Sequence, residues 1–474
     1  MEFVQQLFAV APVALAGLLA VVVMLLDAAI RHSTSISFWV STVGLIATVA
    51  AGIATLPASG TVFADMLVAG GTAALFDTLL AGAGLLTLLA ARPYLRCRER
   101  EYDEFYTLLL FAVAGAIILA HSAHLVSFFL GLELMSVSFY VLAGYFRTQL
   151  RSVEAALKYF LLGAFATGFL LYGIAMVYGS SGSLSYQGIA TQLQQGASLP
   201  TLLLIGLGLL LVGVGFKLAI VPFHQWVPDV YQGAPTVVTA FMSTVGKAAV
   251  VVALVPLLQA LQPAIGDRIQ AAVAVLSAAT ILLGNIVAAV QSNIKRMLAY
   301  SSIAHAGYLL MGVVAQSERG WIGMLFYAAA YLFMQLGAFV VVAVVEHDNE
   351  HRLELGDYTG LSRQHPVLAA LMAVFLLSLT GIPPFAGFVG KYYLFIAALE
   401  AGYTWLAVVA AVGTMISAYF YLGVLVAMYF REPREALAPT TSGTAAVTLW
   451  LSTAAVLVLG ILPGPLLQLL QHFL

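Results

Sequence analysis

The sequence has 474 residues, of which 62% are hydrophobic and only 8% carry a charged side chain, and its formal net charge is −2. This composition excludes a soluble globular protein, and apolar runs of roughly 20 residues are long enough to cross a bilayer as helices. The runs are continuous rather than alternating, which excludes a transmembrane β-barrel. We therefore predict an all-α polytopic membrane protein.

Cofactor motifs are absent from the sequence. Cys97 is the single cysteine, so the chain cannot form an internal disulfide, a four-cysteine zinc site or an iron–sulfur cluster. No dinucleotide-binding fingerprint or phosphate-binding loop occurs, and the histidines lack the spacing of metal ligands. We expect this chain to bind no metal, no redox cofactor and no nucleic acid.

Apolar runs in chain order predict about fourteen transmembrane helices. They cover 7–30, 36–57, 72–91, 105–120, 124–146, 152–178, 200–224, 234–262, 269–290, 298–315, 320–345, 366–399, 403–430 and 444–472. The first run is too long for the apolar core of a signal peptide and follows Glu2 rather than basic residues, so we expect it to stay in the protein. The last span ends almost at the final residue, which predicts no trailing amphipathic helix.

Basic residues outside the spans are concentrated on one set of alternating loops. That set includes the charged loops 92–104 and 346–365, whereas the opposite set holds only Arg268 and Arg319. Cytoplasmic loops are enriched in arginine and lysine. The first set is therefore predicted to be cytoplasmic, with both termini on the periplasmic side. The uncharged segment 179–199, rich in Ser, Gly and Gln, is predicted to be an outer loop.

Two predicted spans are interrupted by proline. Pro222 interrupts one, and Pro383 and Pro384 interrupt the span at 366–399. As one helix the second span would reach about 50 Å, well beyond a ~30 Å hydrocarbon core, so it must break or tilt. The breaks lie an odd number of spans apart, which predicts two inverted repeats with discontinuous helices, a pattern that marks ion sites in transporters.

The repeats divide the chain into four predicted parts. These are three N-terminal helices at 1–104, a first five-helix repeat at 105–262, a second, inverted five-helix repeat at 268–430 and a C-terminal helix at 444–474. The double proline would also leave the carbonyls of Leu379 and Thr380 without helical partners. These two oxygens are predicted to hold water.

Deep within the predicted spans lie the ionisable side chains of Glu133, Lys217, Lys247 and Lys391. A lysine at bilayer depth costs at least ~2.5 kcal/mol, which makes such residues functional candidates. Burial without a counter-ion disfavours the charged form, so Lys247 and Lys391 are candidates for proton transfer. Glu133 needs a cationic partner or a proton, and Lys217 is the predicted partner. The alternative for Glu133 is a purely structural ion pair.

Other titratable residues admit a second interpretation. Lys158 either takes part in proton transfer or snorkels to the surface beside Glu154, four residues earlier on the same helix. His224 follows the first break and is either a proton donor or a hydrogen-bonded structural side chain. His305 is predicted to be structural, and Asp229 to cap or turn the chain after the break.

Four motifs lie in these segments. They are FFLGLELMSVSFYVLAGY, PFHQWVPDVYQGAPTVVTAF followed by Lys247, NIKRMLAYSSIAHAGY, and SLTGIPPFAGFVGK. Together they resemble the subunit N family of bacterial respiratory complex I, the proton-pumping NADH:quinone oxidoreductase, over about residues 105–430. Lys391, where the related subunit M carries a glutamate, favours subunit N. Val237 and Gly246 depart from the pattern because the family has prolines there, which leaves the helix geometry before Lys247 open.

The resemblance implies a proton-translocating subunit of the bacterial inner membrane with a channel in two halves. The cytoplasmic uptake half would use the pair Glu133 and Lys217, the centre would use Lys247, and the exit half would use Lys391. The resemblance also implies that NADH, FMN, iron–sulfur clusters and quinone bind to other subunits. Partners would be other membrane subunits, the lipid bilayer, water and protons.

Three other functions remain open. A subunit of an Mrp-type sodium/proton antiporter would use nearly the same residues. A transporter of an organic solute would also have inverted repeats, but it would carry a polar substrate pocket rather than a line of lysines. A purely structural membrane subunit would tolerate loss of the buried lysines.

Overall fold

Helices dominate the computed structural model, which describes residues 2–30, 34–195, 201–262, 266–346, 352–434 and 442–474. Within these ranges, thirteen helices are long and apolar enough to cross a membrane. The continuous apolar runs fold this way because a helix satisfies its own backbone hydrogen bonds where no water is available. The predicted all-α polytopic fold is confirmed.

The helices are numbered in chain order. The first ten are α1 (Glu2–Ala9), α2 (Ala11–Ala29), α3 (Thr34–Thr55), α4 (Gly71–Arg96), α5 (Asp103–Ala120), α6 (Leu125–Ala143), α7 (Leu150–Ser181), α8 (Tyr186–Gln195), α9 (Thr201–Leu218) and α10 (Trp226–Gly233). The others are α11 (Thr236–Leu261), α12 (Asp267–Ala288), α13 (Ile294–Ala315), α14 (Glu318–Val345), α15 (Leu361–Gln364), α16 (Pro366–Thr380), α17 (Ala386–Glu400), α18 (Thr404–Phe430), α19 (Gly443–Ile461) and α20 (Gly464–Phe473). A 3₁₀ turn spans Leu355–Tyr358.

Some segments differ from the predicted loops and spans. Strands β1 (Thr61–Val62) and β2 (Leu67–Val68) form an antiparallel hairpin between α3 and α4. The predicted outer loop 179–199 contains helix α8. The predicted span 444–472 is wrong as a single helix, because Pro463 has no N–H to continue α19 and the chain restarts as α20. Arg31, the side chain of Arg268 and parts of the loops 179–199 and 346–365 lie outside the described residues.

Three helices form the centre of the molecule and position the buried charges. On α11, α13 and α14, about nine-tenths of the membrane-length window is buried inside the protein (89%, 94% and 94%). A helix that is apolar on every face is stable only when it is enclosed by other helices or lipid. These three helices therefore shield from lipid any polar side chain that they direct toward one another.

The first discontinuity separates α9 from α10. Helix α9 ends at Leu218, before Pro222, because Ala219 adopts a left-handed backbone conformation with φ of 63°. The predicted helical segment up to residue 224 is therefore too long. The Phe216 carbonyl in the last turn of α9 accepts the backbone N–H of Ala219 at 3.1 Å and the indole N–H of Trp226 at 2.9 Å. The first residue of α10 is thus hydrogen-bonded to the last turn of α9.

The second discontinuity separates α16 from α17. Helix α16 ends at Thr380, Gly381 follows with φ of 90°, and α17 begins at Ala386 after the Pro383-Pro384 pair. Glycine suits this position because it has no Cβ to oppose the left-handed conformation. The broken pair α16 and α17 supplies the fourteenth predicted span. The predicted division of the chain into two repeats stays a prediction.

Candidate functional site

Lys217 is buried in the last turn of α9 among aromatic side chains. Its ammonium donates a hydrogen bond to the Tyr140 hydroxyl at 3.0 Å and lies 5.5 Å from the centre of the Tyr159 ring and 5.6 Å from that of Phe216. The faces of aromatic rings attract cations. This setting therefore stabilises the ammonium without a carboxylate in contact with it.

Glu133 lies on α6, on the same helix face as Tyr140 and about two turns before it. Its half-buried carboxylate accepts a hydrogen bond from the Thr167 hydroxyl of α7 at 2.7 Å. The predicted ion pair with Lys217 is not formed in the described structure: the ammonium bonds to Tyr140, and the carboxylate bonds to Thr167.

Lys247 lies on α11 at the centre of the molecule, and its side chain is buried. Its ammonium donates to the backbone carbonyl and to the hydroxyl of Ser302 on α13, the latter at 2.6 Å. The Tyr331 hydroxyl on α14 donates to the same serine oxygen at 2.9 Å. Within the described ranges, no carboxylate lies at ion-pair distance from Lys247. Neutral oxygens alone therefore solvate this central charge.

Lys391 lies on α17 and reaches back into the second helix break. Its ammonium donates to the carbonyls of Leu379 and Thr380 at 3.1 and 2.8 Å. These are the two oxygens that the sequence predicts to hold water, and the lysine binds both. The ammonium also lies 4.5 Å from the centre of the Tyr308 ring. Lys391 thus completes the hydrogen bonding of the break and carries a buried positive charge.

His305 lies on α13 between the last two lysines, although the sequence prediction treats it as structural. Its ring centre is 5.2 Å from that of Tyr331, which binds Ser302 beside Lys247, and 6.0 Å from that of Tyr308, which faces Lys391. The ring is almost fully buried and contacts tyrosine hydroxyls through both nitrogens. His305 is therefore placed between the surroundings of Lys247 and those of Lys391.

The sequence contains a signal that could identify this arrangement. Ser302, His305 and Tyr308 recur every three residues along α13, beyond the first turn with Lys295 and Arg296, so they form one polar stripe. A stripe of this kind on a fully enclosed helix indicates polar partners on the neighbouring helices. The sequence does not reveal which partners these are.

Comparison with known proteins identifies the family of the chain. The sequence model of the family described as NADH:quinone oxidoreductase/Mrp antiporter, transmembrane, matches residues 122–417. NADH-quinone oxidoreductase subunit N of Trichlorobacter lovleyi is 42% identical, and the match covers 92% of this chain and 90% of that protein. Subunit N 1 of Solibacter usitatus is 40% identical over 94% of this chain and 92% of its own length. The chain belongs to the NADH-quinone oxidoreductase subunit N family.

Solved structures agree with this membership in the subunit N family. A chain of respiratory complex I from Thermus thermophilus is 35% identical, with a TM-score of 0.84 over 96% of this chain and 98% of that chain. A chain of the Mrp complex from a Dietzia species has a TM-score of 0.87 over 98% and 96% of the two chains, but it is only 23% identical. The Mrp likeness shows a shared fold, and the Mrp alternative is less supported.

Helix α11 contains the two positions where this member of the subunit N family lacks an expected proline, and its backbone is helical at both. The helix runs without interruption from Thr236 to Leu261, through Val237 and Gly246. A side chain at Gly246 would approach the Phe139 ring of α6 to 3.1 Å, so glycine allows close packing there. Lys247 therefore extends from a regular helix held closely against α6.

A second group of charges lies between α7 and α10 on the predicted cytoplasmic side. Lys158 contacts both Glu154 and Asp229, at 2.7 and 2.8 Å, and Asp229 also binds Arg296 at 2.8 Å. Although burial acts in the opposite direction, hydrogen bonds from Lys158 and Arg296 hold the pKa of Asp229 below its ordinary value. The predicted capping role of Asp229 is wrong, because its carboxylate joins α10 to α7 and α13.

The surroundings of this group explain why Lys158 of the subunit N chain differs from the three lysines described above. Lys158, Glu154 and Asp229 line a cavity of about 190 Å³ that is open to the surface, and the Lys158 side chain is 42% exposed. Exposed ion pairs contribute little to stability. The structure therefore places Lys158 at the surface end of α7, where it neither enters nor contacts the line of buried lysines.

His224 lies at the first break and is half-buried. Its Nδ1 atom has no hydrogen-bond partner among the described residues. No hydrogen bond in the described ranges joins His224 to a buried lysine. Those ranges also contain no group of three or more His, Cys, Asp and Glu side chains that could hold a metal ion.

Proposed function

We propose that this chain translocates protons across the membrane as part of an NADH:quinone oxidoreductase. The main support is the solvation of three buried lysines by neutral oxygens: a tyrosine hydroxyl, a serine and two backbone carbonyls. A buried ammonium without a counter-ion in contact is costly. Each of these lysines can therefore release its proton at a modest free-energy cost, and a proton relay requires this property.

Proton uptake is assigned to Glu133 and Lys217. An ionised Glu133 favours the ammonium form of Lys217, although the ammonium bonds to Tyr140 and the carboxylate bonds to Thr167. When the carboxylate is neutralised, the ammonium loses this stabilisation and its proton can move through water toward Lys247. The restored carboxylate then favours uptake of the next proton at Lys217.

Transfer to the exit half is assigned to Lys247, His305 and Lys391. Ser302 and Tyr331 connect Lys247 to the neighbourhood of the histidine, and Tyr308 connects that neighbourhood to Lys391. Hydroxyl groups and imidazole can each donate and accept a proton at the same time. The uptake residues belong to the proposed first repeat, 105–262, and Lys391 belongs to the proposed second repeat, 268–430.

Electron transfer is assigned to partner subunits. Cys97 is the only cysteine of this chain, so it cannot hold an iron–sulfur cluster. NADH, FMN and quinone would bind to other subunits, and neighbouring membrane subunits would contact the lateral faces of this chain. Free energy from quinone reduction would reach this chain by changing the charge interactions around Glu133 and Lys217.

Copurification tests the proposed function. A tagged chain should copurify with an NADH-oxidising complex, and liposomes that contain this complex should acidify their lumen when NADH is added outside. A protonophore should abolish the acidification and leave NADH oxidation intact. A chain that purifies alone and exchanges sodium for protons would instead support the antiporter function.

Topology provides a second test. Both termini are proposed to lie on the periplasmic side of the inner membrane, because basic residues concentrate on the opposite loops. A C-terminal alkaline phosphatase fusion should therefore be active, and a C-terminal fluorescent protein that folds only in the cytoplasm should be dark. Fluorescence without phosphatase activity would reverse the orientation and exchange the uptake and exit halves.

Loss of the Glu133 charge is expected to reduce proton uptake at Lys217 without abolishing proton pumping. Glu133→Gln should lower NADH-driven proton pumping several-fold, because the amide cannot favour the Lys217 ammonium by charge. Glu133→Asp keeps the charge and should be milder. Thr167→Val removes only the hydrogen bond to the carboxylate and is the matched control. Wild-type pumping by an assembled Glu133→Gln complex would make Glu133 structural.

A further inference from the structure

Two tyrosines on different helices contact the two ring nitrogens of His305. Tyr327 on α14 contacts Nδ1 at 2.5 Å, and Tyr421 on α18 contacts Nε2 at 3.3 Å. Tyr421 also shares a hydrogen bond with the Ser301 hydroxyl. All three aromatic side chains are almost completely buried. The ring of His305 is therefore held from both sides by groups that can donate or accept a proton.

The need to pair every buried hydrogen-bond donor indicates which nitrogen of His305 carries the proton. Across the described residues, the buried Tyr327 hydroxyl has no hydrogen-bond partner other than His305, so its hydrogen is satisfied only by donation to Nδ1. The other nitrogen, Nε2, then carries the hydrogen and donates it to the Tyr421 oxygen. The Tyr421 hydrogen is in turn free to bind the Ser301 oxygen, so all of these bonds are consistent with a neutral ring.

We propose that Tyr327 and Tyr421 are positioning residues that fix the orientation of the His305 ring and keep its single proton on Nε2, between Lys247 and Lys391. This inference rests on the proposed proton relay and extends it. In the step that the arrangement allows, the Tyr327 hydroxyl turns away and Nδ1 accepts a proton released by Lys247. The Nε2–H bond then breaks as the Tyr421 oxygen accepts that proton and releases its own hydrogen on the way to Lys391. The ring now carries its single proton on Nδ1, and this proton must return to Nε2 before the next transfer.

The surroundings of His305 explain why it needs such positioning. Besides Tyr327 and Tyr421, the groups near the His305 ring are Lys247 on α11, Lys391 on α17, Tyr331 on α14 and Tyr308 on the same helix as His305. Two positive charges nearby oppose a third on the ring. Without the tyrosines, the ring could rotate or exchange its proton between the nitrogens, and the direction of transfer would be lost.

Tyrosine-to-phenylalanine variants test this inference because they remove one hydroxyl and keep the ring. Tyr327→Phe and Tyr421→Phe should each lower the ratio of protons pumped to NADH oxidised at least two-fold in reconstituted complex. Their pH profiles should shift in opposite directions. Loss of Tyr327 frees Nδ1 to take up a proton at higher pH, whereas loss of Tyr421 removes the acceptor of the Nε2 proton and disfavours the charged ring.

Tyr358→Phe is the matched control, since Tyr358 is equally buried and its hydroxyl has no hydrogen-bond partner in the described part of the chain. It should keep the wild-type ratio and pH profile. Normal ratios in both test variants, or shifts in the same direction, would overturn the positioning roles. His305→Gln distinguishes proton transfer through His305 from the positioning roles of Tyr327 and Tyr421. If it pumps normally, the proposed transfer through His305 fails as well, whereas if it alone is impaired, only the tyrosine roles fail.

Discussion

Replacing Lys247 with alanine is expected to remove most NADH-driven proton translocation through this chain while the complex still assembles. Lys247 is the central charge of the line, and Ser302 and Tyr331 solvate no other ammonium in the part of the chain that the structure describes. A small apolar side chain cannot take up a proton from the uptake half. The measurement is the ratio of protons released to NADH oxidised in reconstituted liposomes, together with the content of this chain in the purified complex.

Arginine at the same position distinguishes a relay from a fixed charge. Lys247→Arg keeps the positive charge, but the arginine pKa above ~12 prevents its deprotonation. We therefore expect intermediate pumping if the charge alone tunes Lys217, and strong loss if deprotonation is obligatory. A normal ratio in an assembled alanine variant would remove Lys247 from the relay.

Lys295 supplies a control for the effect of a buried lysine as such. It is as buried as Lys247 and donates to the Ala234 carbonyl at 2.7 Å, away from the line of three lysines. Lys295→Met is expected to lower assembly, because it leaves that buried carbonyl without this donor. It should not change the ratio of protons to NADH in the complexes that do assemble. Equal ratios in the variants of Lys247 and Lys295 would indicate a stability effect.

Composition and proline placement predict most of the fold, for a simple physical reason. Hydrocarbon penalises unpaired backbone groups so strongly that long apolar runs must be helices, and prolines such as Pro222 and Pro383 reveal where a helix cannot continue. Short elements escape this argument. The hairpin at β1 and β2 and helix α8 are too short and too polar to be distinguished from a loop by hydropathy.

The charged members of the site are predictable, but their partners are not. Three lysines stand out because a charged side chain within an apolar run costs free energy in the bilayer and therefore indicates a function. They are Lys217, Lys247 and Lys391. Taken singly, Ser302 and Tyr140 do not stand out, since hydroxyl side chains are common in membrane helices and serine often bonds to its own backbone. Only tertiary packing decides which hydroxyl meets which lysine, and the same packing gives the Lys217 ammonium a tyrosine hydroxyl as its partner instead of the expected carboxylate.

Lys391 is expected to show two separable effects, because its ammonium both binds the break and carries a charge. Lys391→Met should lower assembly as well as pumping, since it leaves the carbonyls of Leu379 and Thr380 without this donor at a cost of about 1–3 kcal/mol each. Lys391→Gln keeps an N–H donor for the break but cannot exchange a proton. The glutamine variant should therefore assemble better than the methionine variant and still lose most pumping, measured as protons per NADH oxidised. If glutamine restores pumping together with assembly, Lys391 stabilises the helix break only, and the exit of protons must use another group.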